Sequence, residues 1–132
     1  MGLRVLVTDD HPDLARAMAI LLESAGYKVQ IATSGEQAVE LAANFKPQVV
    51  ILDMKMSGGM DGFQTAQALK QQAGTADAAV YVAHTAFDAA TITTAKLQQA
   101  GFQHYVRKPA DFAQFEALLA VIPRNVAGNA GG

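Results

Sequence analysis

The chain has 132 residues, 51% apolar and 17% charged, with a net charge of −2; that composition excludes a disordered chain and fits one globular domain. Its ten Lys and Arg are scattered, with Arg107-Lys108 as the one adjacent pair, which excludes a basic footprint for nucleic acid. With no cysteine, disulfides, thiolate catalysis and cysteine-ligated zinc are excluded as well.

In chain order, a short apolar run, Val5 to Val7 with Leu3, is followed by Thr8 and two adjacent carboxylates, Asp9 and Asp10. Those acids come too early for the apolar region of a signal peptide. No later run approaches the roughly 18 apolar residues of a spanning helix, so a cytoplasmic protein is expected. Leu14, Ala17, Met18, Leu21 and Leu22 recur at 3.6-type spacing and predict a helix. It stops at Gly26, where a left-handed cap costs least. Residues 27–32 read as a second strand. Thr33-Ser34-Gly35-Glu36 then starts a helix with capping hydroxyls and an early acid, and Ala38, Leu41 and Ala42 carry it to Lys46-Pro47.

QVVILD (48–53) is the clearest strand. Val49, Val50, Ile51 and Leu52 are apolar on both faces, as expected when helices cover both sides of a parallel sheet. It ends at Asp53, before the glycine-rich loop MKMSGGMDG. A third helix is predicted over 61–72, a fourth strand over 78–83, and a helix over 89–100 closed by Gly101. A fifth strand covers 104–107 and a last helix 111–122. Residues 124–132 carry no core-forming pattern and are expected to be a flexible tail or the start of a linker, leaving one domain over 1–123.

Five strands alternating with five helices predict an α/β fold, a single doubly wound parallel sheet. Ligands of such sheets sit outside the carboxyl ends of the strands. Asp9 and Asp10 end the first strand and Asp53 the third. If those strands are neighbours, three carboxylates crowd one pocket, and two unit charges about 4 Å apart cost about 4 kcal/mol at an effective dielectric near 20. A hard divalent cation with oxygen ligands relieves that repulsion, and few carboxylates plus several waters suit Mg2+. Thr85 and Lys108 follow the fourth and fifth strands. A metal, a hydroxyl, a fixed cation and Asp53 as nucleophile together make a site for a phosphoryl group on a carboxylate. Alone, the acid pair would be a helix N-terminal device and Lys108 a solvated lysine; the ordered set carries the reading. His11 and His84 have no partner at ligand spacing and receive no role, and His104 reads as an ordinary strand residue.

The ordered set Asp9-Asp10, Asp53, Met60-Asp61-Gly62, Thr85-Ala86 and Lys108-Pro109 resembles the response-regulator receiver domain of two-component signalling, over roughly residues 3–122. The resemblance implies a flavodoxin-like sheet with strand order 2-1-3-4-5. It implies a phosphorylation switch rather than an enzyme, with Asp53 accepting phosphate from a histidine kinase or histidine phosphotransfer protein. Asp10, Asp53 and the backbone carbonyl of Lys55 would bind Mg2+, with Asp9 acting mainly through water. Thr85 would close over the phosphoryl group and Tyr105 would swing with it. Signalling contacts would use the face of helix four, strand five and helix five. On the last helix, Phe112, Phe115, Leu119 and Ile122 form a core stripe. Ala113, Ala117, Ala120 and Val121 leave an apolar face for an output partner or a second copy in a homodimer. No direct nucleic-acid contact and no membrane contact are expected.

Several positions depart from the family pattern. Ser57 stands where the family usually has Pro, Gly58-Gly59 lengthens and softens the loop, and the interval from Thr85 to Lys108 is longer than the family pattern by one residue. Lys55 and Phe87 flank the path of the hydrolytic water and should alter the lifetime of the phosphoryl-Asp. A competing class is a receiver-like interaction module that works without phosphorylation; only the unusual loop supports it. A haloacid-dehalogenase-type hydrolase would need an acid where Lys55 stands. A flavodoxin would meet phosphate with hydroxyls and glycines rather than Asp9-Asp10.

Overall fold

A run that is apolar at every position has to be covered from both sides, and β3 (Val49–Leu52) is buried throughout, at the centre of a five-stranded parallel sheet. The computed structural model describes residues 3–56, 58–72, 79–85, 93–108 and 112–120. In chain order the elements are β1 (Arg4–Thr8), α1 (Pro12–Ser24), β2 (Lys28–Ala32), α2 (Gly35–Phe45) and β3. They continue with α3 (Gly62–Gln71), β4 (Val80–Thr85), α4 (Thr94–Gln99), β5 (His104–Arg107) and α5 (Phe112–Ala120). The strand order is β2-β1-β3-β4-β5, the doubly wound order expected.

Alternation along the strands builds two cores. Leu6, Val50, Leu52, Tyr81 and Ala83 face α2, α3 and α4, where Ala38, Ala42, Ala66, Leu69 and Leu97 meet them. Val5, Val7, Val49, Ile51, Val82 and Val106 face α1 and α5 and pack on Ala15, Met18, Leu22, Phe115 and Leu119. Among the described residues, no helix is long and apolar enough to cross a membrane.

The sequence reading needs correction at three places. In α1 the buried residues are Ala15, Met18, Ala19 and Leu22, while Leu14, Ile20 and Leu21 are exposed. Two apolar stripes overlap on this helix, and the one with two alanines lies against the sheet. β4 runs on through His84 and Thr85, because pairing with β5 reaches Thr85↔Arg107, past the point where the apolar pattern ends. Tyr27 precedes β2 instead of opening it, and its ring joins the core beside α1. Asp61 is the N-cap of α3 in a capping box with Gln64. Residues 89–92 of the expected fourth helix, Ser57, Phe87, Val121, Ile122 and the tail 124–132 lie outside the described residues.

Candidate functional site

Register brings the acids together. β1 and β3 pair with Thr8 opposite Leu52, so the next residue on each strand, Asp9 and Asp53, leaves the sheet at the same level. The ladder continues through both: Asp9 donates its N–H to the Ala32 carbonyl at 3.1 Å, and Asp53 to the Thr8 carbonyl at 2.9 Å. Both carboxylates are buried, 2% and 3% exposed. Gly62 lies against the same strand end, where a Cβ would stand 2.6 Å from the Met54 Cα and 2.7 Å from the Asp53 carbonyl. The Asp-Gly pair after the loop is thus a packing requirement of the site.

Lys108 reaches the acids from the next strand but one. Its N–H donates to the Thr85 carbonyl at 2.9 Å, which fixes its backbone against the end of β4. Its Nζ lies 2.8 Å from Asp9 Oδ2 and 3.3 Å from Asp53 Oδ2. Asp53 Oδ1 accepts the Lys55 N–H at 3.1 Å. Asp9 Oδ1 accepts the N–H of His11 at 2.9 Å and lies 3.0 Å from its Nδ1. Asp10 is partly exposed, with Oδ1 3.1 Å from the same nitrogen. Asp9, Asp10, His11 and Asp53 each offer a ligand atom, and all four atoms lie within 4.8 Å of one another.

These neighbours divide the charges unequally. Burial pushes Asp9 up, but the Lys108 ammonium and the His11 N–H outweigh it and hold this carboxyl below its ordinary range. Burial likewise raises Asp53, and the charge of Asp9 adds to it. The Lys55 N–H and Lys108 do not fully offset that, so Asp53 stays above the ordinary range. Lys108 loses by burial but gains more from Asp9 and Asp53, so its ammonium is stabilised. Three carboxylates facing one ammonium leave an excess of negative charge, and the oxygen donors fit a hard cation such as Mg2+.

The remaining expected residues fall around this centre. Thr85 is fully buried at the end of β4, and its Oγ1 has no hydrogen-bond partner among the described residues. Tyr105 on β5 is half-buried against the core of α2, α3 and α4, and its hydroxyl accepts from Gln98 Nε2 at 3.4 Å. Lys55 is exposed. Gly58 and Gly59 take positive φ of 72° and 134°, and the loop is tied to α2 by the Met60 N–H on Glu36 Oε2 at 3.3 Å. The glycine pair therefore serves a defined backbone path.

Two histidines that received no role belong here. His11 folds back on the acids because its N–H bonds Asp9 two residues earlier, a local turn signal that was present in the sequence. His84 is buried on β4, its ring edge-to-face with Phe115 of α5 at 4.7 Å. Burial and the nearby Lys108 lower its pKa to about 4, against an opposing pull from Asp9.

Comparisons with known proteins agree with this geometry. The family profile described as response regulator receiver domain matches residues 5–120. Protein PilH of Pseudomonas aeruginosa is 34% identical over 125 residues, covering 95% of this chain and 98% of that protein. The transcriptional regulatory protein KdpE of Mycobacterium tuberculosis is 38% identical over 126 residues, covering 93% of this chain and 52% of KdpE. The chain thus spans nearly all of PilH but about half the length of KdpE. Among solved structures, the receiver domain of the sensor histidine kinase PA1611 from Pseudomonas aeruginosa has a magnesium ion coordinated in its active-site cleft. It aligns with a TM-score of 0.77 and 25% identity, covering 90% of this chain and 95% of that one. With the profile running across the whole sheet and its strand-end acids, the chain belongs to the response regulator receiver domain family of two-component systems.

Proposed function

We propose that the domain is a phosphorylation switch in which Asp53 takes a phosphoryl group from a phosphohistidine of a kinase or phosphotransfer protein. The observation that carries this is the placement of Asp53: a buried carboxylate, close to Lys108 Nζ, among acids that its neighbours leave under-neutralised. An oxygen of Asp53 forms the bond to phosphorus while the donor's N–P bond breaks, returning the electron pair to the imidazole. Lys108, whose Nζ is 3.3 Å from Asp53 Oδ2, would neutralise a phosphoryl oxygen, and the buried hydroxyl of Thr85 would donate to another. Asp10, Asp53 and the Lys55 carbonyl would hold Mg2+, with Asp9 contributing through water. When bound, the ion supplies positive charge to the transferring oxygens.

The added group brings about −1.5 to −2 charges beside Lys108, enough to bias a two-state element. The readout runs through Thr85 and Tyr105 to the face of α4, β5 and α5. There Ala113, Ala117 and Ala120 are exposed and offer an apolar surface to an output partner or a second copy. The donor would dock on α1, which starts beside the acid pair and exposes Leu14, Ile20 and Leu21. All of these contacts belong to the cytoplasm. Retention of every acid and of Lys108 speaks against a module that works without phosphorylation.

Incubation with acetyl phosphate and Mg2+, read by intact mass, tests the proposal. Wild type is expected to gain one phosphoryl group, and Asp53→Asn or omission of the metal to abolish it. An unmodified wild type that also fails to bind beryllofluoride would overturn it.

A further inference from the structure

The Mg2+ reading leaves one neighbour of the acids without a task. His11 is the N-cap residue of α1, yet its side chain makes no capping hydrogen bond. Its ring instead turns back on the carboxylates, with Nδ1 3.0 Å from Asp9 Oδ1 and 3.1 Å from Asp10 Oδ1. The N–H of the same residue bonds Asp9, so a tight local turn aims the imidazole. The ring is 70% exposed, which leaves it open to an ion arriving from solvent.

Those separations have a chemical meaning beyond a hydrogen bond. Neighbouring ligand atoms of an octahedron with bonds of about 2.1 Å stand about 3.0 Å apart. The Nδ1 to Asp10 Oδ1 distance of 3.1 Å matches that of two ligands on one ion, and a carboxylate oxygen of Asp53 belongs to the same group of atoms. An imidazole with its proton on Nε2 offers a borderline-soft nitrogen, which suits nickel, zinc and cobalt and adds little for magnesium.

We propose that His11 Nδ1 is a metal ligand of this pocket beside Asp10 and Asp53, making a mixed nitrogen–oxygen site that takes divalent transition metals more tightly than Mg2+. The inference rests on the pocket being a divalent-cation site, as argued above. Asp9 keeps its partner Lys108 and serves the ion from outside the direct ligand set. A histidine that only hydrogen-bonds the acids would leave the metal preference of an all-oxygen site unchanged, so replacing His11 separates the two.

The test is calorimetric titration of the untagged chain with Ni2+ and with Mg2+, for wild type and His11→Ala. It is joined by electron spin-echo spectra of the Mn2+-loaded proteins. His11→Ala is expected to weaken Ni2+ by about tenfold or more, the usual size of losing one site ligand or its support. Mg2+ affinity should stay within about twofold of wild type. Nitrogen modulation on Mn2+ should appear in wild type and vanish in the variant. Equal Ni2+ affinity in both proteins, with Mg2+ still bound, would overturn the ligand role of His11 and leave the Mg2+ pocket standing. Failure of wild type to bind either ion would overturn both.

Discussion

At the ends of β1 and β3 the two buried carboxylates are held, Asp9 by Lys108 and the His11 N–H, Asp53 by the Lys55 N–H and Lys108, and only the neutral Thr8 Oγ1 beside them lacks a hydrogen-bond partner among the described residues. At the end of β4, one strand away, the buried side chains are neutral and unmet. Neither His84 Nε2 nor Thr85 Oγ1 has a hydrogen-bond partner among the described residues, although both residues are buried. A buried polar atom left unsatisfied costs about 1–3 kcal/mol. The acid end is therefore organised before any ligand arrives, while the β4 end gives up stability to keep polar atoms beside it. That difference is expected of a switch, where the binding half is fixed and the responding half is not at its stability optimum.

Removing the cation that holds the acid end should have the largest effect. Lys108→Met strands Asp9 and Asp53 as buried charges without their ammonium, and about 3 kcal/mol of stability should be lost in the absence of metal. Urea unfolding with and without Mg2+ checks this, because the ion replaces part of the missing charge and should restore part of the loss. A variant as stable as wild type without metal would show that the acid end is not held by Lys108.

His84 gives the next effect, and its sign follows from the direction of its shift. Its pKa in the folded chain, about 4, lies below the ordinary 6.5, so the unfolded chain takes up the proton first as pH falls. Stability is full above about pH 6.5 and declines toward about pH 4, by an amount on the order of 3 kcal/mol. Asp53, whose pKa is raised, binds its proton more readily in the folded chain and offsets part of the decline at the acid end of that window. His84→Leu should remove the decline and keep the edge contact with Phe115 apolar. Urea midpoints measured above the window and inside it decide the matter. Parallel pH profiles for wild type and variant would mean that His84 is not what makes the β4 end sensitive.

How far the sequence foretold each half has physical reasons. β3 was legible because Val49 to Leu52 leave no polar face. The acid pocket was legible because its carboxylates stand at strand ends, and parallel register places Asp9 beside Asp53. The phase of α1 was not, since Leu14 and Leu21 compete with Met18 and Leu22, and only packing against the sheet selects between them. The last two residues of β4 were missed because His84 and Thr85 break the apolar pattern while backbone pairing carries on through them. His11 was passed over because its contact with the acids comes from a turn two residues long, not from ligand spacing along an element. In each miss a tertiary or backbone contact overrode side-chain pattern.

Thr85→Val should have the smallest effect on stability and test the comparison most directly. Valine keeps the shape of threonine and removes the hydroxyl whose oxygen lacks a partner among the described residues. Stability should therefore stay level or rise by up to about 1 kcal/mol. The variant should still bind beryllofluoride at Asp53, since the acids and Lys108 are untouched, but binding should no longer move the Tyr105 ring resonances. A loss of more than about 1 kcal/mol would mean that the hydroxyl is already satisfied, and the β4 end would then be as fully organised as the acid end. Unaltered Tyr105 shifts with unchanged stability would place the link between phosphoryl group and β5 elsewhere, with Lys108 as the remaining group that touches both Asp53 and the end of β4.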